Sequence, residues 1–253
     1  MLPVVKRVEQ EMAADTTLTH GYLTILGLPA FSEAATGMLL GKDSPVVSEG
    51  RAFGIQCLSG TGSLRVAGDF LAQVMGRTVV YYSDPSWPNH KLVFEKSGFK
   101  QVKQYRYWDP SNKCLDLNGM LEDLKDAPEG SVVILHACAH NPTGVDPTDD
   151  QWKEIADVME KRNLFPFFDC AYQGFASGDL DKDARIVRYF VGRGFELFCA
   201  QSFAKNFGLY SDKAGNLTIV VKDANVVANI KSQMTILILG NYSNPPTHGL
   251  ELF

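Results

Sequence analysis

Four short apolar runs, each delivering a polar or aromatic group at its end, constrain this chain more than any other feature. Thr78-Val-Val-Tyr-Tyr82 leads to Asp84-Pro-Ser-Trp87-Pro-Asn-His90. Ser131-Val-Val-Ile-Leu-His136 leads to Ala-Cys-Ala-His-Asn141-Pro-Thr-Gly144. Asn163-Leu-Phe-Pro-Phe-Phe168 ends in Asp169, and Phe195-Glu-Leu-Phe-Cys-Ala200 runs on to Lys205. Runs this apolar and this short read as interior strands. The pattern predicts strands over Thr78–Tyr82, Gln101–Tyr107, Val132–His136, Leu164–Phe168, Leu197–Gln201 and Leu217–Val221. It predicts helices over Gly62–Val74, Gly119–Lys125, Asp149–Lys161, Asp183–Val191 and Ala224–Met234. Thr148 ahead of Gln151 marks a capping box at the start of the Asp149 helix. Strand–helix alternation without repeats implies an α/β fold, a mostly parallel sheet covered by helices on both faces.

Such sheets bind ligands beyond the carboxyl ends of their strands, which is where these polar groups fall. Lys205, partly desolvated there, is a candidate Schiff-base former for a carbonyl cofactor such as pyridoxal phosphate, or it is a solvated surface lysine. Asp169 would keep a pyridine nitrogen protonated, or it is a turn residue or helix cap. Asn141 would donate to a phenolic oxygen, although Asn-Pro-Thr-Gly is also ordinary turn composition. Trp87 would stack on a flat ring, or it packs in the core. Leu58-Ser59-Gly60-Thr61-Gly62 precedes a segment with Leu64, Ala67, Phe70, Leu71 and Val74 on one helical face. A glycine-rich turn opening a helix suits a phosphate dianion, and Lys213 is either a further cation for it or a solvated turn lysine.

These segments, together with Phe-Phe-Asp169-Cys-Ala-Tyr172-Gln-Gly-Phe-Ala-Ser-Gly and Gln-Ser-Phe-Ala-Lys205-Asn-Phe-Gly-Leu-Tyr, resemble the aspartate aminotransferases, in particular the eukaryotic cytosolic form. The resemblance runs from Leu2 almost to Gly249. It implies the fold-type I architecture of pyridoxal phosphate enzymes and transfer of an amino group between L-aspartate and 2-oxoglutarate. By that resemblance Lys205 carries the cofactor covalently and moves the substrate's α-proton, while Asp169 pairs with the ring nitrogen, supported by His90. Tyr172 and Asn141 hydrogen-bond the ring oxygen, and Trp87 stacks on the ring. Trp87 and Asn141 also touch the substrate carboxylate. Ser59, Gly60, Thr61 and Lys213 hold the phosphate. Tyr22 reaches the phosphate of the other subunit, implying a homodimer.

The departures are specific. The family usually has arginine at position 213, and lysine keeps the charge but loses the bidentate fork. Glu251 stands where an arginine reads the substrate's distal carboxylate, a like-charge conflict with a dicarboxylic substrate. Against the family, residues 1–253 read as one large cofactor-binding domain without the N-terminal arm and the C-terminal small domain. A non-catalytic relative that binds pyridoxal phosphate or a partner subunit without turnover is the alternative.

A net charge of −5, with basic residues scattered rather than clustered, argues against nucleic acid or an anionic membrane as main partner. Five cysteines without a CxxC pair read as free thiols, Cys138 and Cys199 among them buried. No stretch has membrane length and no leader is evident, so the expected location is cytoplasmic.

Overall fold

The computed structural model describes residues 2–19 and 21–248; Glu251 lies outside the described residues. After α1 (Pro3–Ala14), α2 (Pro29–Leu40) and the single turn α3 (Pro45–Ser48) come β1 (Ala52–Leu58) and α4 (Ser59–Asp69). β2 (Val79–Asp84), α5 (Asn89–Ser97), β3 (Gln101–Arg106), the small ladder of β4 (Trp108–Asp109) with β5 (Cys114–Leu115), and α6 (Leu117–Asp126) follow. The second half runs β6 (Val132–His136), α7 (Asp149–Lys161), β7 (Phe165–Cys170), α8 (Leu180–Gly192), β8 (Leu197–Ser202), β9 (Ala214–Val220) and α9 (Val227–Asn241).

The large sheet has seven strands in the order β1-β9-β8-β7-β6-β2-β3. The five strands from β8 to β3 pair in parallel. β9 is antiparallel to both β1 and β8. The pleat divides the core in two. Along β6, Val133 and Leu135 join a cluster with Met120 of α6, Ile155 of α7 and Phe190 of α8. Val132 and Ile134 face the other way, toward Leu64 of α4, Phe94 of α5 and Met234 of α9. Side chains that alternate across a strand bury both faces only when helices cover both.

The predicted strands and helices are present, and Thr148 and Gln151 form the predicted capping box. The boundaries move where tertiary contacts override propensity. The helix predicted from Gly62 starts at Ser59, and the strand predicted from Leu217 starts at Ala214. Gly215 accounts for both shifts: a Cβ there would lie 2.5 Å from the Ser59 Cα and carbonyl carbon, so the strand and the helix start touch backbone to backbone. β1, α2 and α5 were not expected. β1 carries Gly54 and Gln56 mid-strand, which breaks the apolar pattern. Gln56 is nonetheless buried, accepting from the Leu28 N–H at 2.9 Å and donating to the Pro246 carbonyl at 2.8 Å.

Candidate active site

The carboxyl ends of β6, β7 and β8 and the start of α4 enclose a cavity of about 710 Å³. Lys205, Asp169, Tyr172, Asn141, Trp87, Ser59, Gly60, Thr61 and Lys213 all line it. His90 does not line it, but lies fully buried behind Asp169. Tyr22 lies outside the cavity lining and is 93% exposed.

Asp169 sits in β7, paired in register with His136 of β6. One directed chain of hydrogen bonds orients its carboxylate. The Asn141 backbone N–H donates to His136 Nδ1 at 3.2 Å, which puts the His136 proton on Nε2. That proton faces Ser86 Oγ at 3.3 Å, and Ser86 in turn meets His90 Nδ1 at 2.9 Å. His90 Nε2–H then donates to Asp169 Oδ2 at 2.8 Å. Burial pushes the His136 imidazole down to about 4, against the pull of Asp169, so at neutral pH it is the uncharged relay this pattern needs. Burial raises the Asp169 carboxyl, but the hydrogen bond from His90 and the positive charge of nearby Lys205 oppose it, and the group is held below the usual carboxylate range. Asp169 is therefore an ionised carboxylate inside the protein.

The loop bearing Asn141 is pinned as firmly. Asp146 accepts from the Ala139 and His140 amides at 2.7 and 2.8 Å. His140 is bonded to Ser83 and Thr143 at 2.8 and 2.7 Å and stacks on Tyr107 with 3.8 Å between centroids. Trp87 packs edge-on to His90, with centroids 5.4 Å apart. Lys205 follows β8 by three residues, and its Nζ lies 5.3 Å from the Tyr172 ring centroid. Asn206 ties this loop to the next one by donating to the Gln173 carbonyl at 3.1 Å.

At the other end, α4 begins directly at the edge of β1 with no side-chain cap. The Gly60 and Thr61 amides of its first turn donate no hydrogen bond to the described residues. Ser59 takes a left-handed φ of 57°, its N–H donates to the Lys213 carbonyl at 2.7 Å, and its hydroxyl lies 2.9 Å from that of Ser202. Lys213 has a φ of 55°. A Cβ on Gly60 would lie 3.2 Å from Ser202 Cβ, so the turn packs closely against the end of β8. An amine and a buried carboxylate share one cavity with an uncapped helix start and a cation. This donor set fits pyridoxal phosphate: amine for the aldehyde, carboxylate for the ring nitrogen, helix start for the phosphate.

Known proteins match nearly the whole length of this chain. The family model described as aminotransferase class I and II matches residues 1–252. The chain belongs to that family. It is 55% identical over 252 residues to the cytoplasmic aspartate aminotransferase of Caenorhabditis elegans, and 54% identical over 257 residues to that of Gallus gallus. Each alignment covers 100% of this chain and 62% of the relative, so the chain spans under two thirds of the relatives' length. The structure of aspartate aminotransferase from Trypanosoma cruzi superposes with a TM-score of 0.92 at 45% identity, over 99% of this chain and 62% of that one. An aromatic-amino-acid aminotransferase from Burkholderia pseudomallei, solved covalently bound to pyridoxal phosphate, gives 0.96 at 40% identity over the same shares. The fold is that of these enzymes, and the family depends on pyridoxal phosphate.

Sequence reading missed three residues that the geometry puts to use. Ser202 ends β8 on the cavity, while Ser86 and His136 are links in the chain behind Asp169. Each lies within a segment already singled out, but a serine or histidine at a strand end or in a turn carries no signal until its partners are placed.

Proposed function

We propose that this chain forms the cofactor-binding part of an aspartate aminotransferase, exchanging the amino group of L-aspartate with 2-oxoglutarate to give oxaloacetate and L-glutamate. The observation that carries the reading is the shared cavity of Lys205, Asp169 and the uncapped start of α4. The names of the relatives at 50% identity or more support aspartate as the amino donor. Bound in this cavity, pyridoxal phosphate supplies an aldehyde for the amine and a ring that draws electrons from the reacting carbon.

For the residues of the cavity the reading assigns the following roles, which their place in its lining supports. Asp169, held ionised, keeps the ring nitrogen protonated. Lys205 presents the amine that binds the cofactor and afterwards takes and returns the substrate's α-proton. Tyr172 and Asn141 supply hydrogen bonds to the ring oxygen, and Trp87 offers a flat face. Ser59, Gly60 and Thr61 take the phosphate on backbone amides and hydroxyls, with Lys213 as countercharge. Trp87 and Asn141 also meet the substrate carboxylate. We further propose that residues 1–253 act as one cofactor-binding unit within a homodimer. The exposed Tyr22 would serve the partner's phosphate, and amino-acid and 2-oxo-acid substrates would enter from the open side of the cavity. The location is the cytoplasmic one in the names of the relatives; no described helix is long and apolar enough to cross a membrane.

The test is transamination of aspartate by purified protein supplied with pyridoxal phosphate, against a Lys205→Ala control. Turnover well above the control supports the reading. Cofactor binding with no turnover would favour a relative that binds without catalysing.

A further inference from the structure

We propose that a second pocket, at the edge of the sheet opposite the cofactor cavity, binds a small tetrahedral oxyanion of the inorganic phosphate type. The pocket measures about 120 Å³, well above the ~10–15 Å³ that a single water needs. It lies where β2, β7 and β8 begin and antiparallel β9 ends. Three cations, Arg77, Arg193 and Lys222, line it with two carboxylates, Glu160 and Glu196.

The carboxylates already have partners. Glu160 pairs with Arg193, which Asp157 at 2.8 Å and the Tyr189 hydroxyl at 3.0 Å also hold. Glu196 accepts the Lys222 backbone N–H at 2.9 Å. Arg77 is placed differently. Its guanidinium sits 5.9 Å from the Phe165 ring centroid and donates from Nη1 to the Gly130 carbonyl at 3.0 Å. Gly130, at φ +75°, makes room for it, because a Cβ there would lie 2.3 Å from Nη1. Among the described residues Arg77 pairs with no carboxylate, and neither does the Lys222 ammonium. Packing thus fixes a half-buried guanidinium with unspent N–H groups, beside a free ammonium, in a polar recess. A guanidinium fork and an ammonium suit the oxygens of a tetrahedral anion.

Isothermal titration of the protein saturated with pyridoxal phosphate, so that the α4 cradle is filled, with inorganic phosphate at constant ionic strength, so that screening does not vary, tests the proposal. Arg77→Gln should weaken one saturable site about tenfold, and Lys222→Gln should weaken it less. Lys213→Gln, in the cofactor cradle, should leave that site unchanged. Thermal unfolding of each variant establishes that it is folded, and the exposed Lys222 provides a variant that leaves the core untouched. Absence of a saturable site would overturn the proposal. So would binding that survives both Arg77→Gln and Lys222→Gln, or that disappears in Lys213→Gln, since the phosphate would then lie elsewhere.

Discussion

The two ends of the cavity, the one by Asp169 proposed for the cofactor's ring and the one by α4 proposed for its phosphate, are built on opposite plans. Behind the ring end, every polar group is already paired: Asn141, His136, Ser86 and His90 pass hydrogen bonds to Asp169 in one direction. At the phosphate end α4 starts uncapped, the Ser59 N–H and hydroxyl go to Lys213 and Ser202, and the Lys213 ammonium has no carboxylate partner among the described residues. The contrast has a physical cause. A buried carboxylate must be stabilised before any ligand arrives, or it protonates and loses its use. A helix start needs no such support, because water satisfies its amides until an anion displaces it. The ring end is therefore preorganised by side chains, and the phosphate end by backbone.

Breaking the ring end should have the largest effect. Asp169→Asn keeps the shape but removes the charge. On the proposed function, turnover should fall roughly 100- to 1000-fold while the cofactor still binds; steady-state kinetics beside a cofactor titration separates the two. Unchanged turnover would mean that Asp169 does not face the ring nitrogen.

Breaking the phosphate end calls for a backbone change. Gly215→Ala drives a methyl group into Ser59, so a loss of about 1–3 kcal/mol in urea unfolding is expected together with weaker pyridoxal phosphate binding. Full stability with normal binding would show that this contact yields without consequence.

The pH dependence of stability probes the ring-end chain without a ligand. His136 has a folded pKa of about 4, below its ordinary value of 6.5. Above 6.5 both states are neutral and the contribution is complete. As pH falls from 6.5 toward 4, the unfolded chain takes up a proton that the folded chain excludes, so stability declines, by on the order of 3 kcal/mol from this group. His140, pushed to about 2 chiefly by burial, steepens the same decline and extends it to lower pH. A variant His136→Gln should show a shallower slope in denaturation measured across that window; an identical slope would dissociate His136 from it.

The smallest effect is expected from Lys213→Arg, which restores a guanidinium fork at the phosphate end. Pyridoxal phosphate affinity should rise severalfold in a spectroscopic titration. Equal or weaker affinity would place the residue 213 side chain away from the phosphate.

The same contrast explains what could be read from the sequence. Strands of consecutive apolar residues, β6, β7 and β8, announced themselves, and so did the groups at their ends, because burial on both faces leaves no other pattern. β1 stayed hidden because Gly54 and Gln56 serve contacts made far along the chain, with Asn216 and Pro246. The antiparallel course of β9 is equally invisible, since direction depends on what precedes a strand rather than on its own residues. In the site, Lys205, Asp169, Asn141 and Trp87 were legible because the chemistry demands their types. Ser86, His136 and Ser202 were not, because their value depends on partners brought together only by folding.

The most direct test of the account is to add pyridoxal phosphate to the purified protein, reduce with borohydride and map the modified peptide by mass spectrometry. The account predicts a pyridoxyl group on Lys205 and none on Lys213, the other lysine lining the cavity. Label on Lys213, or a protein left unlabelled at Lys205, would contradict it.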